Sequence, residues 1–324
     1  MPSIVTLKKG EACEFEIFNK LLCSFICLNL TTGEQNNHKL QVVVCTANST
    51  KLNYKELEEI KLICEGSFGM VYKGTFRGKE VATKKMKQIQ KMNQLLNDFE
   101  NEVNMLDKFR SEYIIHFYGA CFIPNHICMV TEFALYGSLQ DLMKHKKSDE
   151  ISSKIKMKII IDASKRILHL HENHILHRDI KPDNILVISL ENGMNVNGKL
   201  TDFGSSRNIN LLTTNMTFTK GIGSPKYMAQ EILNKQHYKK AADVYSLAVT
   251  LFETLIWGEA YTGDEFKFPW SIANFVASGK RLSVREGISP EAYRVISEMW
   301  THKPENRPTA DVVVILLQKL QRIN

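Results

Sequence analysis

Paired cysteines are missing from this sequence. Its seven, Cys13, Cys23, Cys27, Cys45, Cys64, Cys121 and Cys128, are odd in number and never fall in a C-x-x-C spacing. That argues against a disulfide framework and for free thiols in a reducing compartment. A long apolar run is missing too. The most apolar early stretch, Leu21 to Leu30, is far short of the roughly 18 residues that a membrane helix needs. Glu11, Glu14 and Glu16 precede it, where a secretory leader would be basic. A cytoplasmic protein is therefore expected, with no membrane span, and the sequons at Asn29, Asn48 and Asn215 are read as chance matches. Charge of one sign is also scarce. Forty-two Lys and Arg against 35 Asp and Glu leave a net +7, which suits a solvated lysine-rich surface and calls for no nucleic acid partner. At 324 residues, 44% hydrophobic and 24% charged, the chain has the composition of ordinary globular protein with room for about two domains.

What is present is concentrated in His177-Arg178-Asp179-Ile180-Lys181-Pro182-Asp183-Asn184. Phosphoryl transfer asks a protein for a carboxylate that orients and deprotonates a hydroxyl, for cations that neutralise phosphate charge, and for rigid positioning. Asp179 can supply the first and Lys181 the second, while Asn184 offers a neutral oxygen ligand for a hard metal ion. Eighteen positions after Asn184 comes Asp202-Phe203-Gly204, a second carboxylate beside a flexible glycine. Ile185–Ile188 and Lys199–Thr201 read as a hairpin around a Gly- and Asn-rich turn, which would set Asn184 and Asp202 at adjacent strand ends.

Upstream, Ile60–Ile63 and Met70–Gly74 read as strands around Gly66, Ser67 and Gly69, where glycines would let backbone N–H groups approach phosphate. Lys84 follows on the next strand. From Gln94 to Phe109 the residues Leu95, Leu96, Phe99, Val103 and Leu106 recur at helical spacing and place Glu102 on the inward stripe. A buried carboxylate needs a partner, and Lys84 is the obvious one. Ile114–Gly119 and His126–Phe133 read as further strands, Ser138 as a helix cap, and Ser153–His171 as a long helix burying Ile155, Ile159, Ile160, Ala163 and Ile167. Before all of these, Glu14–Phe18, Cys23–Leu28 and Leu40–Val44 read as short strands with a polar turn at Thr32–Asn37. The histidines 169, 171, 174 and 177 do not converge with any cysteine or carboxylate into a zinc set, and His177 is read as a support for its loop.

Taken in order, these motifs resemble the catalytic domain of eukaryotic protein kinases over residues 51–324, with features of the tyrosine-kinase-like group. The resemblance implies an α+β, two-lobed fold: a small, mostly antiparallel β lobe with one key helix at about 51–134, and a larger helical lobe at about 135–324. A short β-rich extension, 1–50, would precede them. It implies ATP and Mg2+ as substrate and cofactor, with Asp179, Lys181, Asn184, Lys84 and Glu102 catalytic and Asn184 and Asp202 holding the metal. Ile63, Gly66, Ser67, Gly69 and Val71 would cover the nucleotide, Ala82 and Leu186 would flank it, and Lys84 and Asp202 would meet its phosphates. Thr131 would stand at the back of the adenine pocket, and Glu132, Phe133 and Ala134 would form the hinge. Asp243 would anchor the catalytic loop and Arg307 would pair with Glu231.

Lys181 and the Gly223-Ser224-Pro225 segment match serine/threonine kinases, with Lys181 and Ser224 framing the base, so serine or threonine of a protein substrate is the implied acceptor. Thr213, Thr214, Thr217 and Thr219 suggest switching by an upstream kinase or by autophosphorylation, with Arg178 receiving the phosphate. Two positions depart from the pattern: Cys64 replaces the first loop glycine and Gln230 the proline of A-P-E. They are the support for an alternative, a pseudokinase scaffold that binds nucleotide or partners without catalysis. Dual-specificity or tyrosine transfer is a further alternative, as is a place for this chain as the intracellular part of a longer membrane receptor.

Overall fold

The computed structural model describes residues 5–6, 25–32, 38–45, 52, 54–65, 69–86, 92–122, 126–208, 224–237 and 239–323. They divide into two compact units, Met1–Arg110 with His116–Phe133, and Ser111–Ile115 with Ala134–Asn324.

The first unit begins with strands β1 (Val5–Thr6), β2 (Phe25–Thr32) and β3 (His38–Cys45), in the order β1-β3-β2. β2 and β3 are antiparallel, from Phe25↔Cys45 to Thr32↔His38, so two of the three anticipated strands form and lengthen each other. The third, Glu14–Phe18, lies outside the described residues, as do Cys23 and most of the anticipated turn. A five-stranded sheet follows, built from β4 (Leu57–Glu65), β5 (Gly69–Phe76), β6 (Lys79–Met86), β7 (Phe117–Cys121) and β8 (Cys128–Glu132) in the order β4-β5-β6-β8-β7, every pairing antiparallel.

Alternation along these strands divides the unit into two faces. One packs Leu52, Phe76, Val81, Cys121, Cys128 and Val130 into a core. Helix α1 (Met92–Lys108) buries Phe99, Val103 and Leu106 at 4%, 0% and 2% exposure, with Phe99 edge-on to Phe122 at 5.5 Å. Full burial of such side chains is worth about 1.5–3 kcal/mol each, which is why the i, i+4, i+7 stripe was readable in advance. β7 starts later than the expected Ile114, because Ile114 and Ile115 belong to the second unit: Ile115 N–H donates to Leu200 O at 3.4 Å.

The second unit is helical. α2 (Leu139–His145) opens on a capping box in which Ser138 Oγ accepts from Asp141 N and Asp141 Oδ2 from Ser138 N, both at 3.0 Å. α3 (Ser153–Glu172) buries all five predicted apolar residues, each at 3% exposure or less. β9 (Ile175–Leu176), β10 (Ile185–Val187), β11 (Gly198–Leu200) and β12 (Arg207–Asn208) form two short ladders, β10 with β11 and β9 with β12. After α4 (Gln230–Leu233) comes α5 (Lys240–Ile256), buried at every position from Ala242 to Thr254, as befits a helix at the centre of a core. α6 (Pro269–Ala277), α7 (Pro290–Met299) and α8 (Ala310–Ile323) complete the unit. No described helix is long and apolar enough to cross a membrane.

Candidate active site

In the first unit the register of the sheet determines what stands beside what. Val71 lies opposite Lys84 across β5 and β6, and Ala82 lies opposite Thr131 across β6 and β8, so directly paired positions put all four on one sheet face. Each of the four is half-buried. Lys84 reaches Glu102 of α1 with Nζ 2.8 Å from Oε2 and 3.0 Å from Oε1, and Glu102 is only 6% exposed. The carboxylate that helical spacing placed on an inward stripe therefore has the cation that it requires. Gly69 must be glycine: an added Cβ would collide with Lys85 O. Ile63 falls in a register shift between Leu62↔Tyr72 and Cys64↔Val71 and is 47% exposed. At the end of β8, Glu132 N–H donates to His116 O at 2.9 Å and its Oε1 accepts from His116 N at 2.7 Å, while the Phe133 ring carries Lys73 Nζ at 4.4 Å. Gly66 and Ser67 lie outside the described residues.

In the second unit the loop after β9 is held by a single carboxylate. Asp243, fully buried in α5, accepts from His177 N at 3.0 Å and Arg178 N at 2.9 Å, and His171 Nε2 donates to it at 3.0 Å. Burial opposes its ionisation, but the His171 hydrogen bond, the neighbouring histidines and the Arg178 N–H outweigh that and hold the carboxyl below its usual range. His177 is fully buried, and burial pushes its imidazole pKa down. Its Nε2 donates to Thr201 O at 3.0 Å and its Nδ1 accepts from Asp179 N at 3.4 Å, so the neutral Nε2–H tautomer satisfies both ends. Arg178 takes a left-handed φ of +73°, a conformation of modest cost for a non-glycine residue, which turns the chain towards the next side chain.

That side chain is Asp179, whose Oδ2 accepts from Lys181 Nζ at 2.7 Å and Asn184 Nδ2 at 3.0 Å. Asn184 Nδ2 also donates to Asp179 O at 2.7 Å, which leaves Oδ1, the hard oxygen donor, to meet a cation. The predicted hairpin forms as β10 and β11, and Thr201 N–H donates to Asn184 O at 3.0 Å, so residues 184 and 202 stand at neighbouring ends of it. Asp202 is itself left-handed at φ +59°, and Phe203 packs edge-on to His177 at 5.1 Å. Leu186 on β10 is half-buried and bridges to Ser138; Ala134 O accepts from Gly137 N at 3.1 Å. Of the two residues expected to frame the base, Lys181 reaches Asp179, whereas Ser224 makes no hydrogen bond to it among the described contacts. The four activation-segment threonines lie outside the described residues. Among the described residues no group of three or more His, Cys, Asp or Glu is placed to hold a metal ion, and His171 and His177 are engaged with Asp243 and with Thr201 O.

Arg307 pairs with Glu231 at 2.7 and 2.9 Å. Sequence reasoning missed Glu253. Almost fully buried in α5, it accepts from Tyr227 Oη at 2.7 Å and Ala260 N at 2.8 Å and pairs with Lys226 Nζ at 2.6 Å, holding the turn at Pro225–Tyr227. A carboxylate inside an apolar helix was its signal, the same one that picked out Glu102.

Residues 57–316 match the family described as protein kinase domain. The probable serine/threonine-protein kinase gdt9 of Dictyostelium discoideum is 32% identical over 97% of this chain and 21% of its own length. Serine/threonine-protein kinase STY46 of Arabidopsis thaliana is 31% identical over 84% of this chain and 45% of its own. Dual specificity protein kinase shkB of Dictyostelium discoideum is 32% identical over 85% and 41%. The chain thus spans less than half the length of these relatives. It belongs to the protein kinase domain family.

Proposed function

We propose that this chain transfers the γ-phosphoryl group of ATP to serine and threonine hydroxyls of protein substrates. The observation that carries the reading is Asp179, an ionisable carboxylate fixed between Lys181 and Asn184 in a loop whose backbone is pinned by Asp243. Asp179 orients the acceptor hydroxyl and takes its proton as the new O–P bond forms, while the bond from the γ-phosphorus to the β–γ bridging oxygen breaks and ADP leaves. Lys181, beside Asp179, offers its ammonium to the transferring phosphoryl group. Lys84, aimed by Glu102, neutralises the α and β phosphates. Asn184 Oδ1 and the Asp202 carboxylate fit Mg2+, a hard cation that takes few protein ligands and fills its sphere with phosphate oxygens and water. When bound it would neutralise charge on the β and γ phosphates.

The working division is the one the motifs imply: residues 51–134 and 135–324 as the two catalytic lobes and 1–50 as an extension. Activity would be switched by phosphate on Thr213, Thr214, Thr217 or Thr219, and the chain would act in the cytoplasm. The name of shkB keeps tyrosine within the range of acceptors to be tested. The test is labelled-phosphate transfer from ATP and magnesium to a mixed serine, threonine and tyrosine peptide pool. Asp179→Asn should lower the rate by about 10²–10⁴-fold, with label on serine and threonine in the wild type. Equal labelling by wild type and variant would sink the reading, and label confined to tyrosine would change the acceptor class.

A further inference from the structure

Gln230 departs from the A-P-E pattern, and the structure gives the glutamine work that proline could not do. It is 4% exposed at the first position of α4, and its Oε1 accepts from Arg281 Nη2 at 2.7 Å. Arg281 is fixed independently of that bond. Its Nε donates to Trp300 O at 2.7 Å, and its Nη1 to Lys280 O at 2.7 Å and Val276 O at 3.2 Å. Val276 and Trp300 lie at the C-terminal ends of α6 and α7, where main-chain carbonyls lack helical partners and a cation is favoured. The guanidinium also lies 5.1 Å from the ring of Tyr245, as does that of Arg307. Arg281 therefore presents a preformed donor, and Gln230 docks on it.

What this docking steadies is the turn just before α4. Two 3-10 bonds close that turn, Tyr227 N to Ser224 O at 2.9 Å and Met228 N to Pro225 O at 3.2 Å. Short 3-10 turns are poor at holding themselves. Glu253 holds one side of the turn, through Tyr227 and Lys226. On the other side the chain passes through Met228 and Ala229 into Gln230 and Glu231, each buried against an arginine.

We infer that Gln230 and Arg281 are a pair of positioning residues that hold the Ser224–Met228 turn in the shape that receives the acceptor segment of the protein substrate. This rests on the kinase reading for the word "acceptor" and on geometry for the rest. The glutamine is then a second clamp beside Arg307–Glu231, not a decayed motif.

The test uses the full chain with Gln230→Leu, which keeps the bulk and removes the acceptor, and Gln230→Glu, which makes the bond charge-assisted. Gln230→Leu is expected to raise the KM for an acceptor peptide about five- to tenfold and to speed amide hydrogen exchange at Tyr227 and Met228 by about tenfold, with the KM for ATP within about twofold of wild type. Gln230→Glu should restore both readouts, which a merely destabilised core would not. Unchanged exchange at Tyr227 and Met228 in Gln230→Leu, or a Gln230→Glu chain no better than Gln230→Leu, overturns the clamp. A wild type that labels no peptide overturns the proposed function instead, and the exchange comparison then decides the clamp alone.

Discussion

Two buried ion pairs in this molecule look alike on paper and differ in finish. Arg307 is saturated. Its five N–H groups meet Glu231 twice and the carbonyls of Ala241, Thr301 and His302 at 2.7 to 3.3 Å, and its side chain has no exposed surface. Lys84 meets Glu102 with comparable bonds of 2.8 and 3.0 Å, yet a quarter of its side chain stays accessible. A cation with every donor satisfied by protein is a fastener. One that is aimed by a carboxylate while its surface remains open can still accept a phosphate. Arginine, with a rigid fork and five donors, suits the first task, and lysine, a compact charge on a flexible stem, suits the second.

The sharpest way to break this contrast is to remove each cation. Arg307→Met would leave Glu231 buried and unpaired, at a cost of about 3–5 kcal/mol. At roughly 2–4 °C per kcal/mol for a domain of this size, thermal melting should show the loss directly. Lys84→Met should behave differently: transfer should fall by about 10²–10³-fold, as expected when one charge-stabilising donor is lost, while the melting temperature drops less than half as far as for Arg307→Met. Equal destabilisation by the two substitutions would show that the accessible pair is a fastener as well.

The smallest effect sets both pairs against a buried histidine. Lys, Arg and Glu ordinarily titrate outside pH 5–8, and histidine within it. Burial depresses the pKa of His177 in the folded chain. As pH falls through the unfolded value of about 6.5, the unfolded state takes up a proton that the folded state refuses. Stability is therefore full above that pH and declines below it, by up to about 1.4 kcal/mol per pH unit, until the folded His177 itself protonates. Chemical denaturation at pH 7.5, 6 and 5 should show this slope, and His177→Gln should remove up to one proton from it. An unchanged slope in that variant would place the titration elsewhere.

Much of the loop at 177–184 was legible because its polar side chains are contiguous: carboxylate, cation and amide sit within residues 179–184, and the hairpin that sets Asn184 near residue 202 is short. Glu102 was legible because helical periodicity marks which carboxylates must be buried. Other features were not. Glu253 meets Tyr227 across 26 residues and Gln230 meets Arg281 across 51, with no repeat or local spacing to link them. Pairings of that kind depend on how helices pack, which neither propensity nor pattern contains. The start of β7 was misplaced for a related reason: Ile114 and Ile115 are apolar enough for a strand, but Leu200 claims their backbone.

The anchoring of the loop at 177–184 by Asp243 also has a consequence for how this protein is made. The N–H groups of His177 and Arg178 find their acceptor 66 and 65 residues further along the chain. A nascent chain that has left the ribosome only as far as Asn184 already carries Asp179, Lys181 and Asn184 and the local bonds among them, yet the N–H groups of His177 and Arg178 still lack their acceptor. Such non-local closures form late, because the entropy of bringing distant segments together is spent before the contact rewards it. Translation must pass Asp243, and α5 must dock, before those two N–H groups are satisfied, so the backbone at His177 and Arg178 is among the later parts of this chain to be fixed.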